Sequence, residues 1–494
     1  VIDNKEDLAG LPQSLIDAAA EDAKASNMPN KWIFTLQNPS VMPFLQYSAK
    51  RDLREKIWRA YSMRGNNNNE FDNKKVIEEI ANLRLERAKL LGYKSHSAYV
   101  LAENMAKTPE KVFELLDKLW TPAIKMAKKE ADEYQEMINE EGGKFKLEPW
   151  DWRYYAEKVR LKKYDLNEEQ LRPYFKLENV RAGIFAVANK LYGITFKELK
   201  NLPVYHKDVV GYEVLNSDGS HLGILYMDFF PRDSKRGGAW MTNYQEQYYK
   251  NGKKISPIVS LVFNFAKPTK NQPSLLNIDE VETFFHEFGH GLHGLFSNCN
   301  YLGVSGTNVA RDFVELPSQI MENWAFEPEV LALYAKHYKT GEVIPQELVN
   351  KIVNSSKFDQ GFATVEYLAA SYLDMYYHTI ESPLTEDVNK FETEKMNALG
   401  LIPEIISRYK STYFRHSFGG GYDSGYYSYI WAGVLDSDAF QAFKENGLFD
   451  KKTADAFRKN ILERGNTEDP MQLYIKFRGK EPSIEPLLNK RGLN

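Results

Sequence analysis

Apolar residues recur with helical spacing along most of this 494-residue chain. At Thr108-Pro109-Glu110, a cap residue, a proline and an acid predict the start of an amphipathic helix that runs to about Glu141. The pattern predicts further helices over residues 12–25, 50–63, 74–91, 177–192, 344–354, 357–380, 385–399 and 451–464. It therefore indicates a mainly α-helical protein.

Two stretches depart from this helical pattern. Within residues 204–230, two apolar runs flank a turn at 217–219, which predicts a small β region. Residues 257–265 are apolar and rich in β-formers, which predicts a buried strand. The next helix is expected to start near Asn277 or Asp279, because both are good N-cap residues, and its apolar stripe predicts burial. We therefore expect a small sheet beside this helix.

Composition and charge narrow the functional classes. No linker, repeat or low-complexity tract marks a boundary, so we expect a single region over residues 1–494. A net charge of −4 with interspersed signs argues against a nucleic-acid partner. No apolar run approaches a membrane span, which predicts a soluble protein. The single cysteine, Cys299, excludes an internal disulfide.

The chain opens with Val1 and no signal peptide, so we expect an incomplete N-terminus. Whether the location is cytoplasmic or periplasmic therefore stays open.

The helix after the predicted strand contains an H-E-x-x-H motif, His286-Glu287-Phe288-Gly289-His290. Four residues of α-helix amount to about 400° of rotation and roughly 6 Å of rise, so the two histidines share one face. Their imidazoles can bind one zinc ion, and Glu287 can reach a water molecule at the open coordination position. The pattern predicts a hydrolytic zinc site. The alternative is a core helix with two structural histidines.

A catalytic zinc site requires a third protein ligand. His293 shares the face, but it lies about 10 Å along the helix from His286, so we interpret it as a packing or supporting residue. Glu315 is the better candidate, because it starts a buried segment and a buried carboxylate needs a partner. Asp312 and Glu322 compete for this role, and spacing alone leaves the choice open.

A glycine-rich stretch between His416 and Tyr429 is the second group of candidate residues. Three consecutive glycines, at 419–421, permit a mobile backbone, and four tyrosines follow within eight residues. Phenol hydroxyls are good donors to a developing oxyanion. The alternative is a glycine turn that leads into an aromatic core helix.

Together these segments resemble the thimet-oligopeptidase-like family of zinc metallopeptidases, and within it the bacterial peptidyl-dipeptidases of the dipeptidyl carboxypeptidase type. The similar motifs extend along nearly the whole chain, at residues 106–112, 150–155, 236–241, 285–294, 311–319, 416–431 and 464–493. The resemblance implies a zincin-like fold of two helical lobes around a deep channel that admits short unstructured peptides. It also implies that the N-terminal part of the family's usual sequence is absent.

The resemblance also implies roles for individual residues. The family's ligands to one zinc ion per chain, and its catalytic glutamate, carry over onto His286, His290, Glu315 and Glu287. Its transition-state donors carry over onto His416, Tyr422 and, as the main oxyanion donor, Tyr429. Glu282, one helical turn before His286, either orients a ligand histidine or faces solvent.

The implied activity is the release of C-terminal dipeptides from short peptides, and we expect a monomer. The step of six positions from His416 to Tyr422 is similar to the peptidyl-dipeptidase branch. The alternatives are an endo-acting oligopeptidase of the same family and a catalytically silent peptide-binding homologue.

Overall fold

The computed structural model describes residues 1–270 and 272–494. The helices of these residues are α1 Gln13–Ala25, α2 Asn38–Tyr47, α3 Arg51–Ser62, α4 Lys74–Leu90, α5 His96–Leu101, α6 Pro109–Glu140, α7 Trp152–Tyr164, α8 Leu177–Tyr192, α9 Ile278–Phe296, α10 Leu316–Ala325, α11 Pro328–Tyr334, α12 Gln346–Ser355, α13 Gln360–His378, α14 Val388–Leu399, α15 Arg415–Gly419, α16 Ser428–Asn446, α17 Lys451–Phe457, α18 Pro470–Arg478 and α19 Glu485–Arg491. The mainly helical fold predicted from the apolar spacing is confirmed.

Differences from the predicted helices fall at their ends and have local causes. Helix α14 begins at Val388 instead of residue 385, because the Asp387 side chain caps it by accepting from the backbone N–H of Asn389 and Lys390. Helix α13 begins at Gln360 because the preceding residue, Asp359, adopts a left-handed conformation with φ of 57°.

The strands form one small sheet and one short hairpin. The strands are β1 Thr195–Glu198, β2 Val209–Leu215, β3 His221–Asp228, β4 Trp240–Gln245, β5 Tyr248–Lys250, β6 Lys253–Ile255 and β7 Ile258–Val262. The five-stranded sheet has the order β1-β2-β3-β7-β4, in which β3 and β7 are parallel and the other neighbours are antiparallel. Both predicted β regions, 204–230 and 257–265, belong to this sheet. The two terminal strands, β1 and β4, and the hairpin of β5 and β6 were not predicted.

Helix α9 lies against the sheet, and two glycines allow the close approach. A β-carbon on Gly294 would stand 2.5 Å from the Met241 side chain of β4, and one on Gly291 would stand 3.2 Å from Leu261 of β7. The predicted apolar stripe is fully buried: Val281, Phe284, Phe285, Phe288, Leu292 and Leu295. The sheet therefore supports the helix that carries the H-E-x-x-H motif.

The described chain divides into two compact units, each built from separate stretches of sequence. The first unit comprises Val1–Asp165, Lys357–Tyr427 and Arg491–Asn494. The second unit comprises Leu166–Ser356 and Ser428–Lys490, and it contains the sheet. Within the first unit, α6 and α13 pack along each other. Among the described residues, no helix is both long and apolar enough to cross a membrane.

Candidate active site

The motif helix α9 has a defined start. The side chain of Asn277 accepts a hydrogen bond from the Glu280 N–H at 2.7 Å, and the Glu280 carboxylate accepts from the Asn277 N–H at 3.0 Å. This reciprocal pair is a capping box, which satisfies two backbone donors that a helix start leaves free. The helix therefore begins where the cap residues predict, and His286 and His290 lie in its middle.

Gly289, inside the motif, permits a close helix crossing. A β-carbon at this position would stand 2.2 Å from the carbonyl oxygen of Pro317 and 2.7 Å from the Cα of Ser318, in α10. Any other residue would push α10 away from α9. Glu315 directly precedes α10, so this close contact brings its carboxylate to the two histidines.

His286, His290 and Glu315 converge on one point. The Glu315 Oε2 atom lies 3.3 Å from His286 Nε2 and 3.1 Å from His290 Nε2. Ligands bound to zinc at 2.0–2.1 Å in a tetrahedron are about 3.3–3.4 Å apart, so this spacing fits a metal ion. The Ser318 hydroxyl also donates to Glu315 Oε2, at 2.9 Å, and fixes the carboxylate. Of the competing acids, Asp312 is buried but does not join this cluster.

The electrostatics of the cluster favour a bound cation. Burial opposes the charge on Glu315, but His290 and His286 outweigh it and hold the pKa of this carboxyl well below its usual value. Burial likewise opposes the charge on His286, but the carboxylates of Glu315 and Glu322 accept hydrogen bonds from its ring and raise the pKa of its imidazole well above the ordinary value. The carboxylates thus attract positive charge to the imidazole nitrogens.

Glu287 is positioned differently from the three candidate metal ligands. Its side chain is buried, and among the described residues its Oε2 atom has no hydrogen-bond partner. Burial raises the pKa of its carboxyl above the ordinary value. A carboxylate with a free oxygen and a raised pKa is suited to exchange a proton with a water molecule at the neighbouring histidines.

Glu322 orients the first histidine. Its Oε1 atom lies 2.6 Å from His286 Nδ1, on the opposite side of the ring from Glu315. Glu322 lies in α10 and follows Glu315, the N-cap of that helix, by seven residues or two helical turns, so both acids lie on one side of α10. Among the residues that the structure describes, Glu282 makes no hydrogen bond to His286. The seven-residue spacing of Glu315 and Glu322 is the feature of the sequence that indicates this pairing.

We expect Glu322→Gln to lower metal affinity by roughly 10–100-fold, because a ligand histidine depends on the partner of its second nitrogen. Competition titration with a chromophoric chelator measures this. Glu282→Gln is the matched control, a half-buried acid near the same histidine without a hydrogen bond to it. Equal affinities for the two variants would contradict the orienting role.

His293 is a packing residue in the structure. It is fully buried, and among the described residues neither ring nitrogen has a hydrogen-bond partner. Burial and the nearby His290 lower its pKa to about 3, so the ring is neutral at physiological pH. It does not belong to the cluster of possible metal ligands.

The proposed transition-state donors lie in different units. Tyr429, at the start of α16, belongs to the second unit, and its backbone oxygen accepts from Gln319 Nε2 at 3.0 Å. Gln319 is one turn after Glu315, so the helix next to the ligand also holds the Tyr429 backbone. His416 and Tyr422 belong to the first unit, where the Tyr422 N–H donates to the His416 carbonyl at 2.9 Å.

The chain is similar to known peptidases along nearly its whole length. The model of Peptidase family M3 matches residues 44–493. The dipeptidyl carboxypeptidase of Escherichia coli (strain K12) is 43% identical over 497 residues, which cover 100% of this chain and 73% of that protein. Oligopeptidase A of the same organism is 39% identical over 501 residues, with the same coverage.

Solved structures show the same fold at low sequence identity. The M32 carboxypeptidase from Deinococcus radiodurans R1 has a TM-score of 0.53 at 14% identity and covers 96% of this chain and 82% of its own. A Pyrococcus furiosus carboxypeptidase has a TM-score of 0.50 at 14% identity, with coverage of 93% and 80%. These likenesses confirm the predicted fold class. The family match and the two relatives confirm the resemblance seen in the sequence: the chain is a metallopeptidase and belongs to peptidase family M3.

Proposed function

We propose that this chain is a zinc-dependent peptidyl-dipeptidase that removes C-terminal dipeptides from short unstructured peptides. The observation that carries the proposal is the cluster of His286, His290 and Glu315 next to the buried Glu287. The ligand set of two imidazoles and one carboxylate is typical of catalytic zinc. The relative with 43% identity is a dipeptidyl carboxypeptidase, which supports this choice of substrate class.

The residues divide the chemical work between them. A zinc ion held by the three ligands would supply Lewis-acid activation of the water and of the peptide carbonyl. Glu287 accepts the proton of the attacking water and passes it to the leaving amine. Tyr429 donates its hydroxyl to the developing oxyanion, and His416 and Tyr422 act as further donors to the transition state.

The sheet offers a surface for an extended peptide. Strand β4 pairs with β7 on one side and ends the five-stranded sheet. The outer backbone groups of an edge strand can bind an extended peptide by strand addition. Because α9 packs against β4, this edge is in the same unit as the ligand cluster. The arrangement supports a peptide substrate over a small molecule.

An endo-acting oligopeptidase is the second candidate, since oligopeptidase A is 39% identical over the whole chain. Mass spectrometry of graded-length peptides after incubation with the zinc-loaded protein separates the candidates. Each peptide is supplied with a free and with an amidated C-terminus. Release of C-terminal dipeptides from the free form alone supports the proposal. Internal cuts that ignore amidation favour the oligopeptidase, and absence of metal together with absence of zinc-restored cleavage favours a silent homologue.

Tyr429→Phe should lower kcat by roughly 10²–10³ with a smaller change in KM, because its hydroxyl is assigned to the transition state. Metal content should not change. Tyr249→Phe is the control, since it removes the hydroxyl of a partly exposed tyrosine of the same unit, bonded to Asn298. A kcat for Tyr429→Phe within a few-fold of wild type would remove this tyrosine from the mechanism.

A further inference from the structure

One buried carboxylate in the first unit bonds to both ends of the glycine-rich stretch. Asp374, in α13, is fully buried. Its Oδ1 atom accepts from the Ser417 hydroxyl at 2.7 Å and from the Ser424 N–H at 3.1 Å. Its Oδ2 atom accepts from the Tyr426 N–H at 3.1 Å. Ser417 precedes the three glycines and the other two residues follow them, so one side chain fixes both ends.

A second set of polar contacts holds the same two ends. Asp423 Oδ2 lies 2.6 Å from Nε2 of the buried His96, in α5. The Arg84 guanidinium, in α4, donates to the Ser417 carbonyl at 2.9 Å and stands 3.7 Å from Asp423 Oδ1. The same Arg84 Nη1 atom lies 2.9 Å from Nε2 of His378, whose Nδ1 atom is 3.0 Å from Asp374 Oδ1. The contacts therefore form one continuous network.

The three glycines between these ends take no part in the hydrogen bonds and ion pairs just described. Gly419, Gly420 and Gly421 are exposed, whereas Ser417 and Ser424 are fully buried. Gly421 has φ of +77°, a conformation that suits glycine. Ser424 has φ of +54°, which is unfavourable for a serine, and the Asp374 carboxylate bonds its amide there. The backbone is thus least restrained at Gly420 and Gly421, which follow helix α15, and it is held on either side.

The two residues with a proposed catalytic role in this unit flank the glycines. His416 precedes Ser417, and Tyr422 follows Gly421. Their rings are 5.7 Å apart, edge to face, and Tyr422 donates its backbone N–H to His416. Small changes at Ser417 or Ser424 would therefore displace both rings. A displacement of about 1 Å at a catalytic group can reduce turnover by up to roughly 10²-fold.

We propose that Asp374 is a positioning residue, which fixes the two ends of the glycine stretch so that His416 and Tyr422 keep their places. This inference rests on the proposed function, because it assigns those two side chains to the transition state. It predicts an effect on kcat that exceeds any effect on KM, with no loss of metal.

The least disruptive test is Ser417→Ala, which removes one hydroxyl that donates to Asp374. Ser371→Ala is the matched control, because Ser371 is as buried as Ser417 and lies on α13 with Asp374, and among the described residues its hydroxyl bonds only the Tyr367 carbonyl, at 3.2 Å. Asp374→Asn, which replaces one acceptor oxygen by a donor, should show the larger effect. Each variant is assayed for kcat, KM, metal content, Tm and peptide-level hydrogen exchange over residues 418–427.

The expected result is faster exchange over 418–427 and a kcat about 10-fold lower for Ser417→Ala, with KM, Tm and metal near wild type. Ser371→Ala should match wild type in every measurement. Unchanged exchange and unchanged kcat in Ser417→Ala would overturn the proposal, as would a drop in Tm with kcat intact. If wild type itself cleaves no peptide, the proposed function fails, while exchange in Asp374→Asn still reports whether the carboxylate fixes the loop.

Discussion

Glu287→Gln is expected to retain its metal and to lose nearly all turnover. The amide keeps the shape of the side chain but cannot accept a proton from the attacking water. General acid–base groups contribute about 10²–10⁴-fold, so kcat should fall by at least this much. The three proposed ligands are unchanged in this variant, and metal content measured by atomic emission should equal that of wild type.

A conservative variant makes the test of Glu287 sharper. Glu287→Asp keeps a carboxylate but withdraws it by one methylene, so partial activity should remain. The structure gives Glu287 a buried oxygen without a partner among the described residues, which the shorter side chain would leave further from the water. If Glu287→Gln keeps activity within a few-fold of wild type, a different group is the base.

Glu315→Ala is expected to lose most of its bound metal. Removing one of three ligands should lower affinity by more than the roughly 10–100-fold that the loss of an outer partner produces. Equilibrium dialysis against zinc measures the change. The expected result follows from the Glu315 oxygen within 3.3 Å of both histidine nitrogens.

His293→Ala is the control for this experiment. It removes a histidine of α9, the helix of His286 and His290, and this histidine has no hydrogen-bond partner among the described residues. We expect lower thermal stability, because a buried ring is lost, but wild-type metal content below the melting temperature. Metal loss in His293→Ala with retention in Glu315→Ala would reverse the assignment of the third ligand.

Much of the helical body and of the motif helix could be predicted because the relevant signals are local. The Asn277 cap, the apolar stripe and the H-E-x-x-H spacing all lie within α9, and the helix follows them. Strand β4 was not predicted because it lacks a clear local signal of this kind. Trp240-Met241-Thr242-Asn243-Tyr244-Gln245 lies at the sheet edge and is half-exposed, so its apolar residues do not alternate cleanly.

The choice among Glu315, Asp312 and Glu322 could not be made from spacing. It depends on how closely α10 approaches α9, and that distance is permitted by Gly289. A sequence shows the glycine but not the backbone that packs against it. The same limit applies to Asp374, whose partners in the glycine-rich stretch lie 43 to 52 positions further along the chain.

The interleaving of the two units has a consequence for how the chain acquires its structure. The chain passes between the units after Asp165, Ser356, Tyr427 and Lys490, and the first unit is completed by the last four residues. During synthesis, the second unit lacks Ser428–Lys490 until residues 357–427 of the first unit have been made. Contacts between distant segments close slowly, so we infer that the second unit folds only after its later segment has been synthesised. Isolating the second unit would require Ser356 to be joined to Ser428, since no simple truncation contains it.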